Sequence, residues 1–80
     1  MAYTSQTTST RSLLCFGSKG DNVKYLQTRL NGIRFGSLVV DGIFSVATEE
    51  SVKKFQKYYG LSVDGIVGSQ TWAKLETIDV

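Results

Sequence analysis

Apolar residues recur every three or four positions in three stretches of the chain, which is the spacing of one face of an α-helix. This pattern predicts helices over residues 19–31, 46–59 and 69–76. The residues on these apolar faces, which we expect to form the core together with Phe44, are Val23, Leu26, Leu30, Thr48, Val52, Phe55, Tyr59, Trp72 and Leu75. The predicted fold class is therefore all-α: a compact three-helix bundle with short extended Asp-Gly turn segments between the helices.

Capping residues stand near the ends of the predicted helices. Ser18 resembles the first residue of a capping box before the first helix, and Gly32 is available for the left-handed conformation that ends it. Ser45 is predicted to cap the second helix, and Gly60 to end it. Gly68, or the serine that follows it, is predicted to cap the third helix.

The segments between the helices repeat each other. Val40-Asp41-Gly42-Ile43 returns later as Val63-Asp64-Gly65-Ile66. Asp-Gly favours a turn, because glycine tolerates positive φ and aspartate can bond nearby amides. A second repeat places Gln27 and Gln56 at the edges of two apolar helix faces. The chain is therefore predicted to contain two similar units, each a turn followed by a capped helix, with short extended segments and a little paired strand between the helices.

Length and composition divide the chain into a tail and one domain. Eighty residues leave room for a single domain, since domains usually hold about 100–200 residues. Seven of the first twelve residues are Ser or Thr, so residues 1–12 are predicted to be a flexible linker or tail, and residues 13–80 the folded domain. The start has no apolar core of a signal peptide, which predicts an excised fragment or part of a phage lysin.

Charge and residue types exclude several function classes. The net charge of +2 is too weak for a nucleic-acid partner, and no apolar run is long enough for a membrane span. Without histidine and with a single cysteine, the chain has no Cys/His zinc site, disulfide or Ser-His pair. Calcium loops are excluded too, because Val52 and Leu75 stand where such a loop needs glutamate. We expect no metal and no cofactor, and we interpret Cys15 as a semi-buried thiol.

One set of residues along the chain has a characteristic order and spacing. These are Leu14, Gly17, Gly20, Asp21, Val23, Leu26, Gln27, Val40, Asp41, Gly42, Phe44, Thr48, Val52, Phe55, Gln56, Gly60, Leu61, Asp64, Gly65, Val67, Gly68, Thr71, Trp72 and Leu75. In order and spacing they resemble the peptidoglycan-binding-like domain of bacterial and phage cell-wall hydrolases. The segment 33–36 departs from that family's pattern, since it lacks the usual glycine–aromatic pair.

The resemblance implies a non-catalytic, monomeric module that binds peptidoglycan and anchors a linked or associated hydrolase or transpeptidase at the bacterial cell wall, outside the cell. Two alternatives stay open on the same fold: a pro-segment that regulates its own enzyme, and a general protein-interaction domain. A small enzyme is disfavoured by the missing histidine.

Six residues are candidates for contact with the polymer. Gln27 and Gln56 would line a groove between helices, although each could instead bond a neighbouring loop. Asp41 would meet a ligand amide, unless its role is confined to the turn. A flat aromatic surface for sugar rings is expected from exposed side chains, with Tyr25 also predicted to be exposed.

The remaining candidates are the aromatic residues Phe35 and Tyr58 and the cation Arg34, which would meet a stem-peptide carboxylate. For each of these, ordinary surface exposure is the alternative interpretation.

Overall fold

The computed structural model describes residues 13–78, which form three helices: α1 (Asp21–Gly32), α2 (Val46–Tyr58) and α3 (Ser69–Thr77). These bounds lie within two residues of those predicted, and the described part of the chain holds no strand. The prediction of an all-α, three-helix fold is confirmed. The predicted tail, residues 1–12, lies outside the described residues, so the domain boundary stays a prediction.

One hydrophobic core joins the three helices. Every helix residue predicted for it is buried except Tyr59, which is half-buried against it. The buried apolar residues are Leu14, Val23, Leu26, Leu30, Phe44, Val52, Phe55, Val67, Trp72 and Leu75. Phe44 and Val67 occupy matching places after the two Asp-Gly turns, while the residue before each, Ile43 and Ile66, stays partly exposed.

The segment before α1, residues 14–19, ties the two Asp-Gly turns to the core and is called the strap below. Isolated β-bridges join Leu14 to Val67 and Lys19 to Ile43. The expected strand pairing of the turn segments is thus limited to one isolated bridge between each of them and the strap. The strap also exposes Cys15, which corrects its interpretation as a semi-buried thiol.

The start of α1 differs from the prediction, whereas the starts of α2 and α3 agree with it. Gly20, at φ 125°, is the N-cap of α1. Ser18 is not the cap, because its Oγ accepts from the Cys15 amide 3.0 Å away and so closes a turn within the strap. Ser45 caps α2 by accepting from the Thr48 amide at 3.4 Å, and Gly68 is the N-cap of α3.

The ends of α1 and α2 share one capping motif, but with different residues. In α2 the left-handed position belongs to Gly60, at φ 73°. The Leu61 amide then reaches back to the carbonyl of Gln56 at 2.8 Å, the long bond of a Schellman motif.

In α1 the same left-handed position belongs to Arg34, at φ 69°. The Phe35 amide bonds the Leu30 carbonyl at 2.9 Å. The prediction that Gly32 would take this role is wrong, because Gly32 is itself the last residue of α1 and Ile33 is the C-cap, so the left-handed position falls on Arg34. Arg34 is the one non-glycine residue at positive φ among residues 13–78.

We predict that Arg34→Gly stabilises the fold. The left-handed conformation costs an L-residue roughly 1–2 kcal/mol, and glycine removes this cost. Because glycine also has more conformational entropy in the unfolded chain, the net gain in the free energy of unfolding should be about 0.5–1 kcal/mol. Thermal unfolding followed by circular dichroism should show a melting temperature a few degrees higher.

Gly60→Ala is the matched control. No heavy atom lies within 4 Å of a Cβ built at Gly60, so alanine there adds backbone strain without a clash and should lower the melting temperature. A lower melting temperature for Arg34→Gly would mean that the arginine side chain contributes more stability than its backbone costs.

Candidate functional site

Gln27 binds the first Asp-Gly turn through both ends of its amide. Its Nε2 donates to Asp41 Oδ1 at 3.1 Å, the Ile43 carbonyl at 3.0 Å and Thr48 Oγ1 at 3.2 Å. Its Oε1 accepts from the amides of Asp41 and Gly42 at 3.1 and 3.0 Å. One side chain therefore joins α1, the turn and the first turn of α2.

Gln56 repeats this arrangement atom for atom at the second turn. Its Nε2 donates to Asp64 Oδ1, the Ile66 carbonyl and Thr71 Oγ1, at 3.0, 2.9 and 3.1 Å. Its Oε1 accepts from the amides of Asp64 and Gly65, at 3.1 and 3.0 Å. The repeat read from the sequence is therefore also a repeat of a hydrogen-bond network.

Both glutamines are buried, with only 1% of each side chain exposed. Their contacts match the alternative interpretation, in which each amide bonds a neighbouring loop. A groove-lining role remains a prediction, and it requires a ligand to reach side chains whose amides are already fully bonded to the turns.

Asp41 and Asp64 are exposed, but each carboxylate is held by its own turn. Asp41 Oδ1 accepts from the Ile43 amide at 3.0 Å, and Asp64 Oδ1 from the Ile66 amide at 2.9 Å. These backbone bonds first, and the glutamine bonds second, lower the pKa of both carboxyl groups. The structure thus gives Asp41 a defined place in the turn, away from the other exposed candidates.

The two units differ in the length of chain between glutamine and aspartate. Gln27 and Asp41 are 14 residues apart, whereas Gln56 and Asp64 are 8 apart. Because the two networks have the same geometry, the six additional residues of the first unit must bulge out of the shared framework. They belong to the loop after α1, residues 33–40, which includes the segment 33–36 where the sequence departs from the family pattern.

This loop is folded back onto α2 by aromatic packing. The Phe35 ring lies 5.5 Å from that of Phe55 and 5.6 Å from that of Tyr58, both edge-on, and 6.1 Å from Tyr59. Phe35 is half-buried, whereas Tyr58 is 73% exposed. A small aromatic cluster therefore holds the loop against α2, and one of its rings, that of Tyr58, is open to solvent.

An open depression of about 740 Å³ lies between the loop and α2. It is lined by Asn31, Gly32, Arg34, Phe35, Gly36, Ser37 and Lys54. Three of the six candidate residues thus come together, since Arg34 and Phe35 line the depression and Tyr58 packs on Phe35. Gln27, Gln56 and Asp41 do not line it.

Lys54 and Asn31 belong to this site although the sequence interpretation did not include them. Lys54 precedes Tyr58 by one helical turn and so shares its side of α2. That spacing is the signal that could have found it. Tyr25, in contrast, is half-buried, and its hydroxyl donates to Glu76 Oε1 at 3.0 Å, so its predicted exposure is wrong.

Residues 13–78 contain neither a membrane span nor a metal-binding cluster. None of the helices there has the length and apolar character needed to cross a membrane. No three His, Cys, Asp or Glu side chains in this part of the chain gather into a group that could hold a metal ion.

Comparison with protein families matches residues 19–75 to the family described as "Putative peptidoglycan binding domain". The chain belongs to this family. The matched region contains both glutamine networks, the loop after α1 and the depression.

Relatives of this peptidoglycan-binding domain include lytic enzymes. The chain is 43% identical over 60 residues to a spore cortex-lytic enzyme of Halalkalibacterium halodurans, a match that covers 75% of this chain and 18% of that enzyme. The crystal structure of a Burkholderia AP3 phage endolysin matches with a TM-score of 0.80 and 37% identity, over 84% of this chain and 25% of the endolysin. The SleB N-terminal domain matches with a TM-score of 0.79 and 35% identity, over 81% of this chain and 89% of that domain.

Replacing either glutamine should destabilise the peptidoglycan-binding domain strongly. Gln27→Ala or Gln56→Ala leaves several turn groups without partners, at an expected cost of about 2–4 kcal/mol measured by urea unfolding. Gln70→Ala, at an exposed position of α3, should change stability by no more than about 0.5 kcal/mol. Wild-type stability in either buried variant would contradict a structural role.

Acid should weaken the fold through Asp41 and Asp64. A lowered pKa in the folded state means that each carboxylate stabilises the fold fully above its ordinary pKa, and that this contribution disappears as the pH falls through the lowered value. When melting temperatures are measured from neutral pH to about pH 2, the double variant D41N/D64N should lose less of its melting temperature in acid than the wild type does.

Asparagine keeps an oxygen that can accept from the turn amide but cannot titrate, and Asp21→Asn is a control for the change of charge on an exposed residue. An acid profile that keeps its wild-type steepness in the double variant would show that the turns do not carry this dependence.

Proposed function

We propose that this domain binds peptidoglycan non-covalently through the depression beside Tyr58, and thereby holds an associated hydrolase or transpeptidase on its polymer. Family membership supports the ligand class. One observation supports a site here: the loop after α1 places the cation Arg34 and the half-buried ring of Phe35 at one open depression, and Phe35 packs against the exposed ring of Tyr58 on α2.

The chemistry of the site suits a glycan that bears peptides. Sugar rings present C–H faces that pack on flat aromatic side chains, and Tyr58 offers such a ring to solvent. Ser37 and Arg34 are exposed at the depression and offer polar groups to acetamides, hydroxyls and carboxylates. Of the predicted site residues, Arg34, Phe35 and Tyr58 are retained as direct contacts in this proposal.

Gln27, Gln56 and Asp41 act in the proposal through the fold. The Gln27 network fixes the first Asp-Gly turn relative to α1, and the loop after α1 runs between that helix and that turn. The Gln56 network fixes the second turn relative to α2. A ligand on the depression would therefore meet a surface that these residues position without touching.

The proposed role is accessory, with no catalysis by this domain. The chain spans only 18% of the spore cortex-lytic enzyme and 25% of the endolysin, which supports placing their chemistry in the rest of those proteins. Linking such a module to an enzyme raises the local concentration of substrate.

The proposal places the domain at the bacterial cell wall, outside the cell, as a monomer. A pro-segment or a general protein-interaction domain would use the same fold without affinity for the wall. Sedimentation with purified insoluble peptidoglycan separates these roles. The domain should leave the supernatant at low and at moderate salt, and its retention in the supernatant at both would contradict the proposal.

Tyr58→Ala should reduce the bound fraction with little loss of stability. Removing the exposed ring takes away a contact surface, with an expected drop in affinity of about fivefold, while its 73% exposure limits its part in the core. Phe16→Ala is the matched control, because Phe16 is also an exposed aromatic residue, at 58%, and does not line the depression. Equal binding by wild type and Tyr58→Ala would remove Tyr58 from the site.

A further inference from the structure

Arg34 occupies a position where its own backbone is strained. Its φ of 69° lies in the left-handed region, in which glycine has no penalty, and the equivalent position of α2 is Gly60. Arginine is therefore the more costly residue for ending this helix. The turn alone therefore does not explain an arginine here.

The loop that carries Arg34 is held rigidly against α2. Asn31 Oδ1 accepts from the Leu38 amide at 2.7 Å, and Asn31 Nδ2 donates to the Leu38 carbonyl at 2.9 Å. A Cβ on Gly36 would clash with Ser51 Oγ, so a larger residue would require the serine side chain to move, and glycine favours this close approach of the loop to α2. The loop is thus ordered before any ligand arrives, which reduces the entropy cost of binding.

The depression concentrates positive charge without an internal counter-charge. Two of its seven lining residues, Arg34 and Lys54, are cations, and none is acidic. Both side chains are exposed, and neither forms an ion pair with any of residues 13–78. A guanidinium and an ammonium that share one depression favour an anion between them, and the planar guanidinium fits a carboxylate with two parallel bonds.

We propose that Arg34 and Lys54 form a seat for a free carboxylate of the peptidoglycan stem peptide, with the sugar portion lying toward Tyr58. This inference rests on the proposed function and specifies which part of the polymer the site recognises. It also accounts for an arginine where glycine would cost less, because only the side chain brings a guanidinium to the depression that Lys54 also lines.

The test uses two soluble muropeptides, disaccharide–peptides that differ only in whether the stem carboxylates are free or amidated. Titration calorimetry on the wild-type domain should show the free form binding about tenfold more tightly than the amidated form, since charge-assisted bonds are lost on amidation. Arg34→Gly and Lys54→Gln should each weaken binding of the free form about three- to tenfold and leave binding of the amidated form unchanged.

Two variants distinguish the loss of a specific contact from a loss of stability or of overall positive charge. Arg34→Gly is expected to be the more stable protein, so its loss of binding cannot come from unfolding. Lys53→Gln removes the same charge from the adjacent position of α2, but Lys53 faces the second turn, near Gly65, and does not line the depression. This control should bind both muropeptides as the wild type does.

Several outcomes would overturn the carboxylate seat. Equal affinity for free and amidated forms would do so, as would equal losses in Lys53→Gln and Lys54→Gln. A glycerol-phosphate polymer that displaces the muropeptide from Arg34 and Lys54 when free carboxylates do not would assign the cations to phosphate instead. If the wild type nevertheless sediments with insoluble peptidoglycan, the proposed function is retained and only the carboxylate seat is rejected. If the wild type does not sediment, both the carboxylate seat and the proposed function are rejected.

Discussion

The fold depends on two buried glutamine side chains that bind two Asp-Gly turns. Each amide makes five hydrogen bonds, to one carboxylate, one carbonyl, one threonine hydroxyl and two backbone amides. A buried amide without partners would cost about 1–3 kcal/mol, which a chain of this size could not absorb easily. Fully bonded, it fixes a turn relative to two helices at once. No disulfide or metal is then needed to place Phe44 and Val67 in the core.

This constraint separates the parts of the sequence that fold the domain from the parts that are free to serve a ligand. The glutamines, threonines and Asp-Gly pairs are occupied by one another, in two copies with matching distances. The first copy carries six residues more between its glutamine and its aspartate. Those residues supply Arg34 and Phe35, and they create the depression because they must fold back onto α2. The framework is thus repeated, and the candidate site arises where the repeat is broken.

The sequence predicted the helices and the core well because both depend on local periodicity. The spacing of Val23, Leu26 and Leu30 holds in any tertiary context, and Ser45 caps α2 through a bond three residues away. The role of Gln27 could not be read in the same way, since its partners lie 14 to 21 residues away. The left-handed Arg34 was missed because glycine is the usual residue there and Gly32 offered a local alternative. Lys54 was missed because it lies at the depression only as a result of the packing of the loop on α2, a tertiary contact that local periodicity does not predict.

The central claim is that the wall polymer contacts the loop after α1 and the facing side of α2, while the glutamine networks stay closed. Amide chemical-shift mapping of the wild-type domain during titration with a soluble muropeptide tests this most directly. Shifts should be largest for residues 31–37 and for Lys54 and Tyr58, with small changes at the turns around Gly42 and Gly65. Shifts centred on those two turns, with the loop after α1 unaffected, would contradict the account.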